Sequence, residues 1–187
     1  CKGIHNPFLD SEDEGWRHNE LMKLIEDREI GEFHRSLSGY HKTPLLSLDH
    51  LASTLGIRRL LVKDESKRFG LNAFKPLGAS YAIFRLIKRE WEKKEQTPFQ
   101  MDFLYNREKL GKIGPFVFSG ATDGNHGRAV AWMANRIGQH SKIFMPADTK
   151  DARVKNIEAE GAEVVLINGT YDDCVAEVSK RSAENGW

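Results

Sequence analysis

The stretch Pro115-Phe116-Val117-Phe118-Ser119-Gly120-Ala121-Thr122-Asp123-Gly124-Asn125-His126-Gly127 decides the fold. Its first five residues form a short apolar run rich in aromatic and β-branched side chains, the composition of a buried strand. Gly120 to His126 make a turn, and Val130, Met133, Ala134 and Ile137 then recur on one helical face. A strand that enters an amphipathic helix through a glycine-bearing turn is the opening of a βα unit.

Downstream, the pattern repeats. Lys142-Ile143-Phe144-Met145 predicts a strand, and a helix is expected from Asp148 to Glu160, ended by Gly161. Ala162 to Ile167 reads as a further strand, and Tyr171 to Ala183 as a helix with Val175 and Val178 inward. Upstream, Leu48 to Leu55 predicts a short helix and Arg59 to Lys63 a short strand. Pro76 starts a helix that carries Ser80, Ile83, Phe84, Ile87 and Trp91 at spacings of three and four. Residues 92–114 are polar and read as a surface excursion. Strands alternating with helices predict an α/β fold of three layers, a parallel sheet with flanking helices.

The chain has 187 residues, and its 28 Lys plus Arg nearly balance its 27 Asp plus Glu. That balance excludes nucleic acid or an anionic membrane as an electrostatically driven partner. The first thirty residues are acidic, and Leu21, Leu24 and Ile25 predict a peripheral helix there. No apolar run reaches the roughly 18 residues of a membrane span, and no signal peptide is visible. Cys1 and Cys174 are distant from one another and lack disulfide or metal spacing, which points to a reducing, cytoplasmic setting. The seven histidines show no paired ligand pattern, so no metal site is expected.

Two loops carry candidate chemistry. Lys75 lies between Phe74 and Pro76, with Ala73 and Leu77 as further apolar neighbours. A partly desolvated lysine favours the neutral amine, the form that attacks an aldehyde. The competing reading is a surface lysine at a helix start, where its charge opposes the helix dipole. In the second loop, Thr122, Asp123, Asn125 and His126 sit with Gly120, Gly124 and Gly127 before a helix. Backbone amides, the Thr122 hydroxyl and His126 suit a carboxylate or phosphate, while Asp123 or Asn125 equally suits a helix cap. The glycine spacing is neither the dinucleotide fingerprint nor a P-loop.

Together the segments Ala73-Phe74-Lys75-Pro76-Leu77-Gly78-Ala79 and Thr122-Asp123-Gly124-Asn125-His126-Gly127 resemble the two signature motifs of fold type II pyridoxal-phosphate enzymes, the tryptophan synthase β-like family. The likeness runs from about Tyr40 to Trp187. Within the family it is greatest to the ammonia-lyases of 2,3-diaminopropionate, through the run Val62 to Lys75, Asp123, Tyr171-Asp172-Asp173 and Gly186-Trp187.

The resemblance implies pyridoxal 5'-phosphate as cofactor, with Lys75 its Schiff-base lysine and later a general base at the substrate α-carbon. It implies that Phe74 packs on the pyridine ring and Asn125 bonds the ring's 3-hydroxyl. Thr122, Gly124, Asn125 and His126 would hold the substrate carboxylate, and Asp123 would take the α-proton from the face opposite Lys75, so that D and L substrates share one site. The implied reaction is α,β-elimination of ammonia from 2,3-diaminopropionate, giving pyruvate and ammonia. A small-molecule amino-acid substrate and a homodimer are implied too. Another family activity, that of a threonine or serine dehydratase, is the alternative; a truncated, non-catalytic binding module is a third reading.

The implied organisation is an acidic N-terminal arm at 1–39 and the first part of a large cofactor-binding domain at 40–114, followed by a small α/β domain at 115–187 carrying the carboxylate loop. After Gly161 the only glycines are Gly169 and Gly186, so a glycine-rich phosphate loop is missing. An N-terminal fragment lacking the rest of the large domain is therefore expected.

Overall fold

The computed structural model describes residues 28–187. The acidic cluster at 10–14 and the helix expected around Leu21, Leu24 and Ile25 lie outside the described residues. In chain order the elements begin with α1 (Arg28–Ser36), β1 (Leu45–Ser47), α2 (Asp49–Thr54), β2 (Leu61–Lys63) and α3 (Lys75–Glu95). After α4 (Arg107–Gly111) come β3 (Val117–Ala121), α5 (Asn125–Arg136), β4 (His140–Pro146), α6 (Asp151–Glu158), β5 (Glu163–Ile167) and α7 (Tyr171–Asn185).

β3, β4 and β5 form a parallel sheet in sequential order, with Gly120 opposite Ile143 and Phe144 opposite Val165. Each strand-to-strand crossover is a helix, as parallel pairing requires. β4 is central, so Ile143, Phe144 and Met145 are fully buried. Its side chains alternate between faces. Ile143 stands under Gly127 of α5, while Phe144 meets Trp187 beyond α7, with ring centroids 6.5 Å apart. Helices thus cover both faces of the sheet, giving the three layers expected.

α3 packs across α5 rather than on the sheet, through Ala79, Ile83, Phe84 and Ile87. One core cluster includes Phe33 of α1, Leu37 just after it, that face of α3, and the inner faces of α5 and β4. It contains side chains from both sides of residue 115.

Two expectations upstream of the sheet need correction. The strand expected at 59–63 is confined to Leu61–Lys63 and pairs antiparallel with β1, outside the parallel sheet. Pro44 holds its neighbour extended, and its carbonyl accepts the Asp64 amide at 2.9 Å, closing one end of this ribbon. Residues 92–114 do not all run over the surface: α3 continues to Glu95, and Leu104 and Leu110 are fully buried. Phe103 lies 4.9 Å from the Trp91 ring, so scattered apolar anchors tie a mostly polar segment to the core.

The loop before α3 is held by a buried guanidinium. Arg68 is only 3% exposed; its Nε and Nη2 donate to Glu65 at 2.6 and 2.9 Å, and Nη1 donates to the His41 carbonyl at 2.7 Å. Nη2 also reaches Thr43 Oγ1 at 3.0 Å, and the Lys63 ammonium donates to the same hydroxyl. The hydrogen bond from Arg68, with Thr43 and Lys63 behind it, holds the Glu65 carboxyl down to about 2. Phe69 adopts φ +52°, a left-handed conformation rare for a bulky residue, while its ring packs 4.8 Å from Trp132.

Candidate active site

Parallel α/β sheets present ligand sites beyond the carboxyl ends of their strands, where loops turn into helices. Here the loop after β3 and the start of α6 after β4 flank a cleft of about 590 Å³. The cleft is lined by Lys75 from the start of α3, residues 121–126, Arg128, Arg153 and Tyr171. Lys75 and the Thr122–His126 loop, about fifty residues apart in sequence, thus meet at one cavity.

Thr122 is the hinge of the loop. It is 2% exposed, its amide donates to the Phe144 carbonyl at 3.0 Å, and Oγ1 accepts the amides of Gly124 at 3.0 Å and Gly127 at 3.1 Å. Thr122 therefore performs the capping that sequence spacing offered to Asp123 or Asn125, neither of whose side chains caps α5. The Arg128 amide returns to the Gly124 carbonyl at 3.1 Å. Among the described residues, the first-turn amides of Asn125 and His126 have no intrachain acceptor. They are the two donors this helix start offers to an anion.

Gly127 is required by close approach. A Cβ there would stand 2.3 Å from Thr122 Cγ2 and 2.7 Å from Ile143 Cγ2. The absence of a side chain lets α5 sit tight against β4 and keeps the Asn125 and His126 amides at the cleft.

Lys75 differs from its expected setting in one respect. The side chain is exposed rather than desolvated, because Ala73 and Pro76 turn into the core while Phe74 stays exposed beside it. Nζ lies 5.1 Å from the centroid of the Phe74 ring, which is itself 60% exposed. His126 is pushed below the usual histidine range, first by partial desolvation and second by the positive charge of Lys75. Its imidazole is therefore neutral near pH 7 and free to donate or accept. The Asp123 carboxylate is exposed and has no ion pair among the described residues. Its carbonyl accepts from Arg153 Nη1 at 3.0 Å.

Arg153 and Tyr171 are lining residues that sequence reading did not single out as site residues. Among the described residues no three of His, Cys, Asp and Glu gather as a metal site, and no helix is long and apolar enough to cross a membrane.

The residues present fit a planar, aldehyde-bearing pyridine cofactor. The cavity has the volume of a small-molecule site, an amine without an ion pair among the described residues stands at its wall, and a bare aromatic ring lies beside that amine.

The chain belongs to the pyridoxal-phosphate dependent enzyme family, whose model matches residues 37–187. It is similar to diaminopropionate ammonia-lyase of Escherichia coli strain K12, with 42% identity over 156 residues, covering 83% of this chain and 38% of that enzyme. The chain thus spans about two fifths of that relative's length.

The crystal structure of the Escherichia coli enzyme in complex with an aminoacrylate-PLP azomethine reaction intermediate superposes with a TM-score of 0.72, covering 84% of this chain and 38% of that one at 42% identity. The complex of the same enzyme with D-serine gives a TM-score of 0.75, covering 84% and 39% at the same identity. Similarity to a chloroplastic threonine dehydratase of Solanum lycopersicum is lower, 29% over 146 residues, covering 78% of this chain and 20% of that enzyme.

Proposed function

We propose that the protein carrying this chain binds pyridoxal 5'-phosphate and eliminates ammonia from 2,3-diaminopropionate, giving pyruvate and ammonia. The observation that carries this reading is the meeting of Lys75 and the Asp123-bearing loop at one cleft. Identity of 42% to the Escherichia coli lyase, against 29% to the dehydratase, favours the ammonia-lyase over a dehydratase.

When bound, the cofactor supplies an electron sink for negative charge at the substrate α-carbon. Lys75 would hold it through its amine, Phe74 would cover one face of its ring, and the Asn125 side chain would bond its ring oxygen. The Asn125 and His126 amides, the neutral His126 ring, Thr122 and Gly124 would grip the substrate carboxylate. That grip fixes which substituent faces Lys75 and which faces Asp123. Lys75 Nζ would remove the α-proton of one enantiomer, and the Asp123 carboxylate that of the other.

In this reading 40–114 contributes the lysine-bearing part of a large domain and 115–187 the small domain with the carboxylate loop, joined by the packing of α3 on α5. Family membership supports a homodimer, and two widely separated cysteines support a cytoplasmic setting. The test is pyruvate release by the intact protein supplied with the cofactor and D- or L-2,3-diaminopropionate. Turnover lost in Lys75→Ala supports the proposal; turnover of serine or threonine in preference to diaminopropionate overturns it.

A further inference from the structure

The loop after β3 and the first turn of α6 stand side by side because their strands are neighbours: Ala121 pairs with Phe144, two residues before β4 ends. Arg153 lies in that first turn, its amide bonded to the Lys150 carbonyl at 2.8 Å. Its side chain crosses to the adjacent βα unit, with Cδ 3.9 Å from where a Cβ on Gly124 would stand and Nη1 donating to the Asp123 carbonyl at 3.0 Å. The guanidinium forms no ion pair among the described residues. It takes the backbone oxygen of an aspartate and leaves the carboxylate uncommitted.

Among the described residues the Asp123 backbone is otherwise tied only through its neighbours, by the Thr122 amide to Phe144, by the Gly124 amide to Thr122 Oγ1 and by the Arg128 amide to the Gly124 carbonyl. None of these bonds is made by Asp123 itself. Arg153 supplies the restraint from the α6 side, and it acts on Asp123 itself.

We infer that Arg153 is a positioning residue for Asp123: by clamping the Asp123 carbonyl it aims the carboxylate at the α-proton of one substrate enantiomer. This role rests on the proposed elimination reaction. A guanidinium suits it because its rigid planar donors fix direction as well as distance. Lys75 hangs from a different element, so the enantiomer it serves does not depend on this clamp.

The test uses the intact, cofactor-loaded protein and its Arg153→Ala, Arg153→Lys and Asp123→Asn variants, with kcat and KM measured separately on D- and L-2,3-diaminopropionate. Amide hydrogen exchange of residues 122–125 is followed alongside without substrate. For the enantiomer whose turnover Asp123→Asn abolishes, Arg153→Ala is expected to lower kcat roughly 10- to 100-fold with KM unmoved, the scale of a misplaced reacting group. The other enantiomer keeps its kcat, exchange in the loop accelerates, and Arg153→Lys recovers part of both.

Equal loss on both enantiomers, or unchanged exchange, overturns the positioning role. A raised KM for both with kcat intact also overturns it, in favour of direct contact between Arg153 and the substrate carboxylate. Failure of the unsubstituted protein to turn over either enantiomer overturns the proposed reaction and this role together, while faster loop exchange in Arg153→Ala would then still separate the clamp from its catalytic use.

Discussion

Thr122 Oγ1 accepts the Gly127 amide at 3.1 Å while Thr122 Cγ2 occupies the space a side chain at 127 would need, 2.3 Å from an ideal Cβ. One residue thus fixes both the polarity and the tightness of the turn from β3 into α5. Gly127→Ala must push the helix start away from Thr122 and Ile143. It is expected to destabilise the protein by about 1–3 kcal/mol, the usual cost of overpacking, and to weaken cofactor retention. Urea unfolding and cofactor titration of the variant check both effects.

The Glu65–Arg68 pair makes a second prediction. Glu65→Gln leaves a guanidinium 3% exposed without its anion, a loss expected to cost about 3 kcal/mol. Arg68→Met in the same background should recover part of that loss, because it removes the stranded charge. The Glu65 carboxyl is lowered from 4.5 to about 2 in the folded state. Its contribution to stability is therefore complete above about pH 4.5 and disappears as pH falls through about 2. Acid unfolding of Glu65→Gln should lack that component.

Two histidines act in a higher range. His34 is lowered chiefly by burial, against a bond from Nε2 to the Leu77 carbonyl at 2.9 Å, and His126 by desolvation and Lys75. A lowered folded-state value means that the unfolded chain binds more protons, so stability falls as pH drops below about 6.5. His126→Gln should make the thermal midpoint less dependent on pH in that window; an unchanged slope would remove His126 from the account.

The alternation of strands and helices from 115 to 187 is legible in sequence because each strand is a continuous apolar run and each helix keeps one apolar face. β1 is not legible, since Leu45-Leu46-Ser47 is too short to show a period, and its pairing with β2 depends on Pro44 and Asp64 far apart in the chain. Leu104 and Leu110 hide among polar neighbours, so their burial is a tertiary matter. At the site, the lysine and the glycine-bearing loop are visible as motifs. The clamp from Arg153 is not, because one hydrogen bond between adjacent βα units leaves no trace in local spacing. The exposure of Lys75 is equally invisible, since apolar neighbours in sequence point into the core rather than over the amine.

The central claim is that Lys75 is the covalent anchor of a pyridoxal cofactor at this cleft. Borohydride reduction of the intact protein with bound pyridoxal phosphate, followed by peptide mass mapping, tests it directly. The account predicts the reduced cofactor on the peptide containing Lys75, and none on any lysine in Lys75→Ala. A label on another lysine, or no label on the unsubstituted protein, would contradict it.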